Sequence, residues 1–145
     1  MNEAIPATRS IVVERVLAQP PGKVWRALTQ DWLIADWLMQ NDFVPEPGHR
    51  FTFRTAPMPH WNGVVEGEVL AVEPERLLTY RWDVPGEGGG LRTVVTWTLT
   101  AQGPGVLLRM EQAGFAAGQE ANFRGAELGW QRFITALERV LEEKA

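Results

Sequence analysis

The sequence predicts an α+β fold: a curled antiparallel sheet, two short helices near the amino terminus, and one long carboxy-terminal helix against the concave face. Three observations predict it. Residues 121–141 place Ala126, Trp130, Phe133, Ile134, Leu137 and Leu141 at helical spacing, which makes one apolar stripe. Upstream, one segment after another alternates apolar and polar residues, as half-buried strands do. The later segments follow one another through short, turn-rich links, whereas parallel crossovers need about a dozen residues.

The elements can be justified in order. Residues 9–17 read Arg-Ser-Ile-Val-Val-Glu-Arg-Val-Leu, a strand rich in β-branched residues. Pro20-Pro21-Gly22 ends it, and a proline suits the first turn of the helix that follows. Val24, Trp25 and Leu28 give residues 23–29 a helical face. A second short helix, residues 31–39, carries Trp32, Leu33, Trp37 and Leu38, with Asp31 as its cap. Residues 41–48 hold two prolines and a glycine and read as loop. Residues 50–55 then alternate, with Phe51 and Phe53 on one face and Arg50, Thr52 and Arg54 on the other.

Residues 56–63 read as a turn or longer loop. Residues 64–72 point Val65, Gly67 and Val69 inward, and Glu66 and Glu68 outward. Residues 77–83 set Leu78, Tyr80 and Trp82 against Thr79, Arg81 and Asp83. Residues 93–100 set Val95, Trp97 and Leu99 against Val94, Thr96 and Thr98. Residues 106–112 send Val106, Leu108 and Met110 inward, and Arg109 and Glu111 outward. Residues 113–120 read as a linker into the long helix, with Asn122 as its start signal. At 1.5 Å per residue that helix is about 30 Å long, enough to cross a sheet. The order is thus strand, two short helices, about five or six antiparallel strands, and a long helix.

The bulk properties bound the function. The chain has 145 residues, the size of one domain with a core that needs no staples. Its net charge is −4, which argues against nucleic acid and against an anionic membrane surface. There is no cysteine, so disulfides, thiolate nucleophiles and cysteine–metal sites are excluded. The first ten residues lack a basic segment followed by an apolar run, so a secretory signal is not expected and cytoplasmic is the default location. No apolar run has the length of a membrane span. The sequence carries no signal for an oligomeric state. Seven tryptophans stand against one tyrosine.

Several stretches resemble a known family. Residues 13–29 read Val-Glu-Arg-Val-Leu-Ala-Gln-Pro-Pro-Gly-Lys-Val-Trp-Arg-Ala-Leu-Thr, and Trp37 follows. A Gly/Val pattern runs from Gly63 to Val69. Glu73-Pro74-Glu75-Arg76-Leu77 leads to Tyr80-Arg81-Trp82, and the last helix carries Gly129-Trp130. In order and spacing, over nearly the whole chain, this resembles the helix-grip fold of the birch-pollen-allergen-like and START-related superfamily. The branch it looks most like is named for the C-terminal domain of the activator of the heat-shock-protein-90 ATPase. The resemblance implies a cavity between sheet and long helix. It implies no shared reaction, since members bind hydrophobic small molecules, act as co-chaperones, or catalyse cyclisations and hydrolyses.

The candidate ligand-binding residues are therefore the inward set: Phe51, Phe53, Tyr80, Trp82, Val95, Trp97, Leu108, Met110, Trp130, Phe133 and Leu137. Ligand sites are mostly apolar, and the same residues would equally make an ordinary core. The expected partner is a hydrophobic or aromatic small molecule, with a chaperone as the alternative. A small cyclase or hydrolase using the same pocket is a further alternative. No catalytic residue, metal or cofactor is expected. His49 and His60 sit in loop-like sequence without a second ligand at metal spacing, although His60 could act as an acid or base at a cavity mouth. Ser10, the only serine, has no nucleophile elbow around it. Glu66 and Glu68 share a solvated face. The Gly86–Gly90 stretch lacks the Lys-Ser/Thr and following helix of a phosphate loop. Arg15, Arg54 and Gln112 are the candidates for an inward polar anchor. Gly125 and Gly129, one turn apart in a helix, either permit close backbone approach or leave space. Trp25, Trp32, Trp37 and Trp61 either seal one end of the sheet or serve a partner surface.

Overall fold

Alternation at the start of the chain becomes strand β1, Arg9–Leu17, in a computed structural model that describes residues 8–59, 61–86 and 90–144. Pro20 stands at the amino-terminal cap of α1, Pro21–Thr29, so Pro21 fills a position whose N–H would be unpaired anyway. Helix α2, Asp31–Trp37, follows at once. Its capping position is held by Gln30, one residue before the expected Asp31. The Asp31 carboxylate instead accepts the Trp32 N–H at 2.8 Å. The Trp37 indole donates to the Ala27 carbonyl at 2.8 Å and so ties α2 to α1.

The strands are β2 (Gln40–Asn41), β3 (Arg50–Arg54), β4 (Val64–Glu73), β5 (Leu77–Val84), β6 (Leu91–Gln102) and β7 (Gly105–Phe115). The sheet runs β1-β7-β6-β5-β4-β3-β2, every neighbouring pair antiparallel. The first strand thus closes on the last. Helix α3, Glu120–Glu143, is the long helix. It begins before Asn122, at a Gln119 cap whose side chain makes no capping bond. Among the described residues no helix is long and apolar enough to cross a membrane.

Two segments differ from the sequence reading. β7 continues through Phe115, into residues read as linker, and Arg9 of β1 pairs with Phe115. Phe115 is buried and meets Phe123 of α3 edge-on, with centroids 5.2 Å apart. Within residues 41–48, read as loop, Phe43 is buried against Phe51, Phe53 and Tyr80.

The concave face meets α3 through Trp130, Ile134, Leu137 and Leu141, which form the expected stripe, joined by Phe123 and Val140. Both ends of α3 are clasped. Arg9 makes a two-pronged pair with Glu120, at 2.7 and 2.9 Å, and its guanidinium lies 3.8 Å from the Phe123 ring centre. At the other end Lys144 Nζ meets Asp36 Oδ2 at 2.8 Å. These pairs are exposed, and such pairs contribute little; the buried stripe holds the helix. In β4, Gly67 lies opposite Phe51 of β3, and the Phe51 ring covers it.

Candidate functional site

The inward residues of β3, β5 and β6 meet α3 in one continuous run of rings. Phe51 stands edge-on to Tyr80 at 5.4 Å, Phe53 lies 5.5 Å from Trp82, and Trp82 lies 5.3 Å from Trp130. Trp130 also meets Trp97 at 5.7 Å and Phe133 at 5.6 Å, and Trp97 meets Trp37 at 5.8 Å. Such separations and tilted geometries are the favourable ones for aromatic pairs. Ten of the eleven predicted residues are buried: Phe51, Phe53, Tyr80, Trp82, Val95, Trp97, Leu108, Met110, Trp130 and Leu137. Phe133 is half-buried at the edge of the run. The rings themselves occupy the space between sheet and helix.

A short polar network threads these rings. Trp130 Nε1 donates to Gln112 Oε1 at 2.7 Å, and Gln112 Nε2 donates to Thr93 Oγ1 at 3.0 Å. Thr93 Oγ1 donates to the Trp82 carbonyl at 2.6 Å. Separately, Trp97 Nε1 donates to Tyr80 Oη at 3.0 Å. Of the three polar candidates Gln112 is the one that points inward, with 1% of its surface exposed. Arg15 does not: it runs along the flank of α3, bonding Gln131 and lying 3.9 Å from Glu138. Arg54 faces out.

Burial pushes the ionisation of Tyr80 well above its ordinary value, and the bond from Trp97 offsets only part of that. Tyr80 is the sole tyrosine, so absorbance near the phenolate band reads it alone. The native protein should show no phenolate around the usual value of about 10. Here the folded state holds its proton longer than the unfolded state. The contribution of Tyr80 to stability is therefore full below about pH 10 and falls as pH rises above it, where only the unfolded chain ionises. A phenolate band appearing near pH 10 while far-UV circular dichroism stays native would contradict the burial.

The other candidates are placed as follows. His49 Nε2 lies 3.0 Å from the Asp42 carbonyl, in the turn before β3. His60 lies outside the described residues, as do Glu87, Gly88 and Gly89 of the glycine-rich stretch. Ser10 is exposed at the start of β1, and Glu66 is exposed on the outer face of β4. No group of three potential metal ligands occurs among the described residues. A Cβ at Gly125 would meet nothing within 4 Å, and one at Gly129 only Phe133, at 3.7 Å. Gly125 is exposed and Gly129 half-buried, and neither serves a close backbone approach. The tryptophan group divides: Trp37 is buried, Trp25 and Trp61 are half-buried, and Trp32 is 58% exposed.

Sequence reasoning missed the edge at β2. Two open depressions lie there, one of about 590 Å³ bounded by α2, Gln40 and Arg54–Ala56, and one of about 240 Å³ between residues 40–42, Thr52 and Arg54. Neither is lined by any of the predicted ligand-binding residues. A two-residue strand such as β2 leaves no periodic trace to find.

The family model for "Activator of Hsp90 ATPase homolog 1-like protein" matches residues 18–142. Among solved structures, the chain is similar to protein MLL2253 from Mesorhizobium loti. The two are 47% identical, with 94% of this chain and 99% of that one covered, and a TM-score of 0.88. It is also similar to DynU16, a protein of the dynemicin biosynthetic locus: 26% identity, 92% of this chain but 47% of that one, TM-score 0.74. The Aha1 dimer from Colwellia psychrerythraea shares the fold at 18% identity, with 94% and 99% covered and a TM-score of 0.76. No curated protein matches the chain.

Proposed function

The chain belongs to the activator of Hsp90 ATPase homolog 1-like family, and from that premise we propose that it binds a hydrophobic or aromatic small molecule between the concave sheet face and α3. The observation that carries this reading is the unbroken run of rings from Phe51 to Trp130 beneath one helix. In this reading the ligand takes the place of the rings that the first half of α3 inserts. That half starts without a side-chain cap, holds Gly125 and Gly129, and exposes Leu128 to 64%, while the Arg9–Glu120 pair, Phe123 on Phe115 and buried Trp130 hold it to the sheet. Each glycine costs up to about 1 kcal/mol relative to alanine in a helix interior. Raising this half lifts Phe123 and Trp130 off the sheet while Leu137, Val140 and Leu141 hold the rest.

The test is a panel of lipids, flavonoid-like compounds and polyketides, read by tryptophan emission and thermal shift. The expected result is saturable quenching at micromolar ligand and a melting temperature that climbs with ligand concentration, as binding to the native state alone requires. Absence of saturation across the panel would remove this reading. The family's namesake favours a second one, docking on a chaperone through the exposed Trp32 of α2, since exposed tryptophans are frequent anchors. Pull-down of the heat-shock-protein-90 chaperone by the wild type and not by Trp32→Ala would support that alternative.

A further inference from the structure

The sheet edge at β2 carries features that the cavity leaves unused. The two depressions meet there, and Gln40 and Arg54 line both. The larger one has Leu38 and Met39, both buried, as its floor, with Ala35 and Ala56 beside them. Arg54 is the one charged residue in its lining. Arg54 Nε donates to Thr52 Oγ1 at 3.0 Å, which orients the guanidinium. Among the described residues its two terminal nitrogens meet no acceptor, and no carboxylate pairs with it. The aspartates around it are engaged elsewhere. Asp31 accepts the Trp32 N–H, Asp42 Oδ1 accepts the Thr52 N–H at 2.7 Å, and Asp36 holds Lys144. Glu66 sits opposite Thr52 in the strand register, outside both linings.

Exposed apolar side chains gather at the same edge. Among the described residues seven large ones are exposed, and three of these adjoin the depressions along the chain. Trp32 lies one turn before Ala35 on α2, and Asn41 Nδ2 donates to the Asp31 carbonyl at 3.0 Å, so the start of α2 rests against β2. Met58 comes two residues after Ala56, and Val44 two residues after Asp42. Apolar groups gathered around a few polar ones mark an interaction surface, and Trp and Arg are its commonest anchors. An oriented guanidinium with free N–H groups takes a carboxylate with two parallel bonds. Both depressions are open, which suits a chain segment laid across them.

We propose that this edge docks an acidic segment of another protein, with a carboxylate side chain on Arg54, a bulky apolar neighbour in the larger depression, and Trp32 alongside. The site does not depend on the cavity beneath α3, and it goes beyond docking at Trp32 by fixing the chemistry of the partner. The N–H of Ala56, which has no acceptor among the described residues, is available to the backbone of that segment. A basic segment is refused, because it sets like charge against Arg54. An ion pair at so open a site is screened by salt, so binding weakens as ionic strength rises.

Selection from a random peptide library displayed on phage, with the full chain as bait, tests this. The enriched peptides should place Asp or Glu beside Leu, Phe, Met or Trp. One of them, labelled and followed by fluorescence anisotropy, should bind Arg54→Gln about tenfold more weakly than wild type, a loss of about 1.4 kcal/mol. Trp32→Ser should weaken it by a similar factor. The peptide with its acids replaced by Gln and Asn should bind the wild type weakly and not distinguish it from Arg54→Gln. Val16→Ser, on β1 at the opposite edge of the sheet, should change nothing. Arg54, Trp32 and Val16 are all exposed, and circular dichroism establishes that each variant is folded. Enrichment of no peptide, enrichment of peptides without acids, or equal affinity for wild type and Arg54→Gln would overturn the proposal. The small-molecule panel is untouched by any of these results. A chaperone captured through Trp32 and unaffected by Arg54→Gln would overturn this proposal and leave that docking intact.

Discussion

Replacing Trp130 by alanine should cost about 5 kcal/mol, a large share of the roughly 5–15 kcal/mol that holds a typical domain folded. Two contributions add. Truncating a buried tryptophan typically costs about 3–5 kcal/mol, through lost transfer energy and the void left behind. Trp130 is 2% exposed and its ring touches Trp82, Trp97 and Phe133. In addition, Gln112 Oε1 loses its one donor among the described residues, and an orphaned buried acceptor costs about 1–3 kcal/mol. Trp130→Phe separates the two, since it keeps most of the ring and abolishes the bond; it should cost about 2 kcal/mol. Chemical denaturation followed by circular dichroism measures both. A cost below about 1 kcal/mol for Trp130→Ala would mean that the ring is not packed in solution.

Gly67→Ala should destabilise by about 1–3 kcal/mol, far more than one methyl group does at most strand positions. The added Cβ would fall on the Phe51 ring, 2.6 Å from Cε1, and 2.8 Å from the Arg81 carbonyl oxygen in the next strand. Phe51 has little room to yield, because Phe43, Phe53 and Tyr80 surround it at 5.0, 4.8 and 5.4 Å. The cause can be isolated by pairing the change with Phe51→Leu. The double variant should be more stable than the sum of the single costs predicts, as contacting residues require. Strict additivity would place the penalty elsewhere.

Much of this architecture was legible in the sequence because alternation and helical spacing are local signals. Phe51 and Phe53, then Tyr80 and Trp82, then Trp97, announced their shared face through neighbours two residues away, and all are buried. Phe43 and Phe115 were not legible. Each is an isolated aromatic beside turn residues, and its burial depends on partners distant in sequence or on a strand that outlasts its clear pattern. Gln112 showed the same divide. Alternation brought it inward, whereas its bonds to Thr93 and Trp130 arise from pairing across strands and helix.

The pairing of Arg9–Leu17 with Val106–Phe115 also has a consequence for biosynthesis. The first strand leaves the ribosome with no neighbour and waits until β7 has been synthesised. Closing so long a loop is slow, as it is for other folds dominated by distant contacts. During that delay the nascent chain presents Ile11, Val13 and Leu17 uncovered, and shielding by a ribosome-associated factor would matter most in this interval.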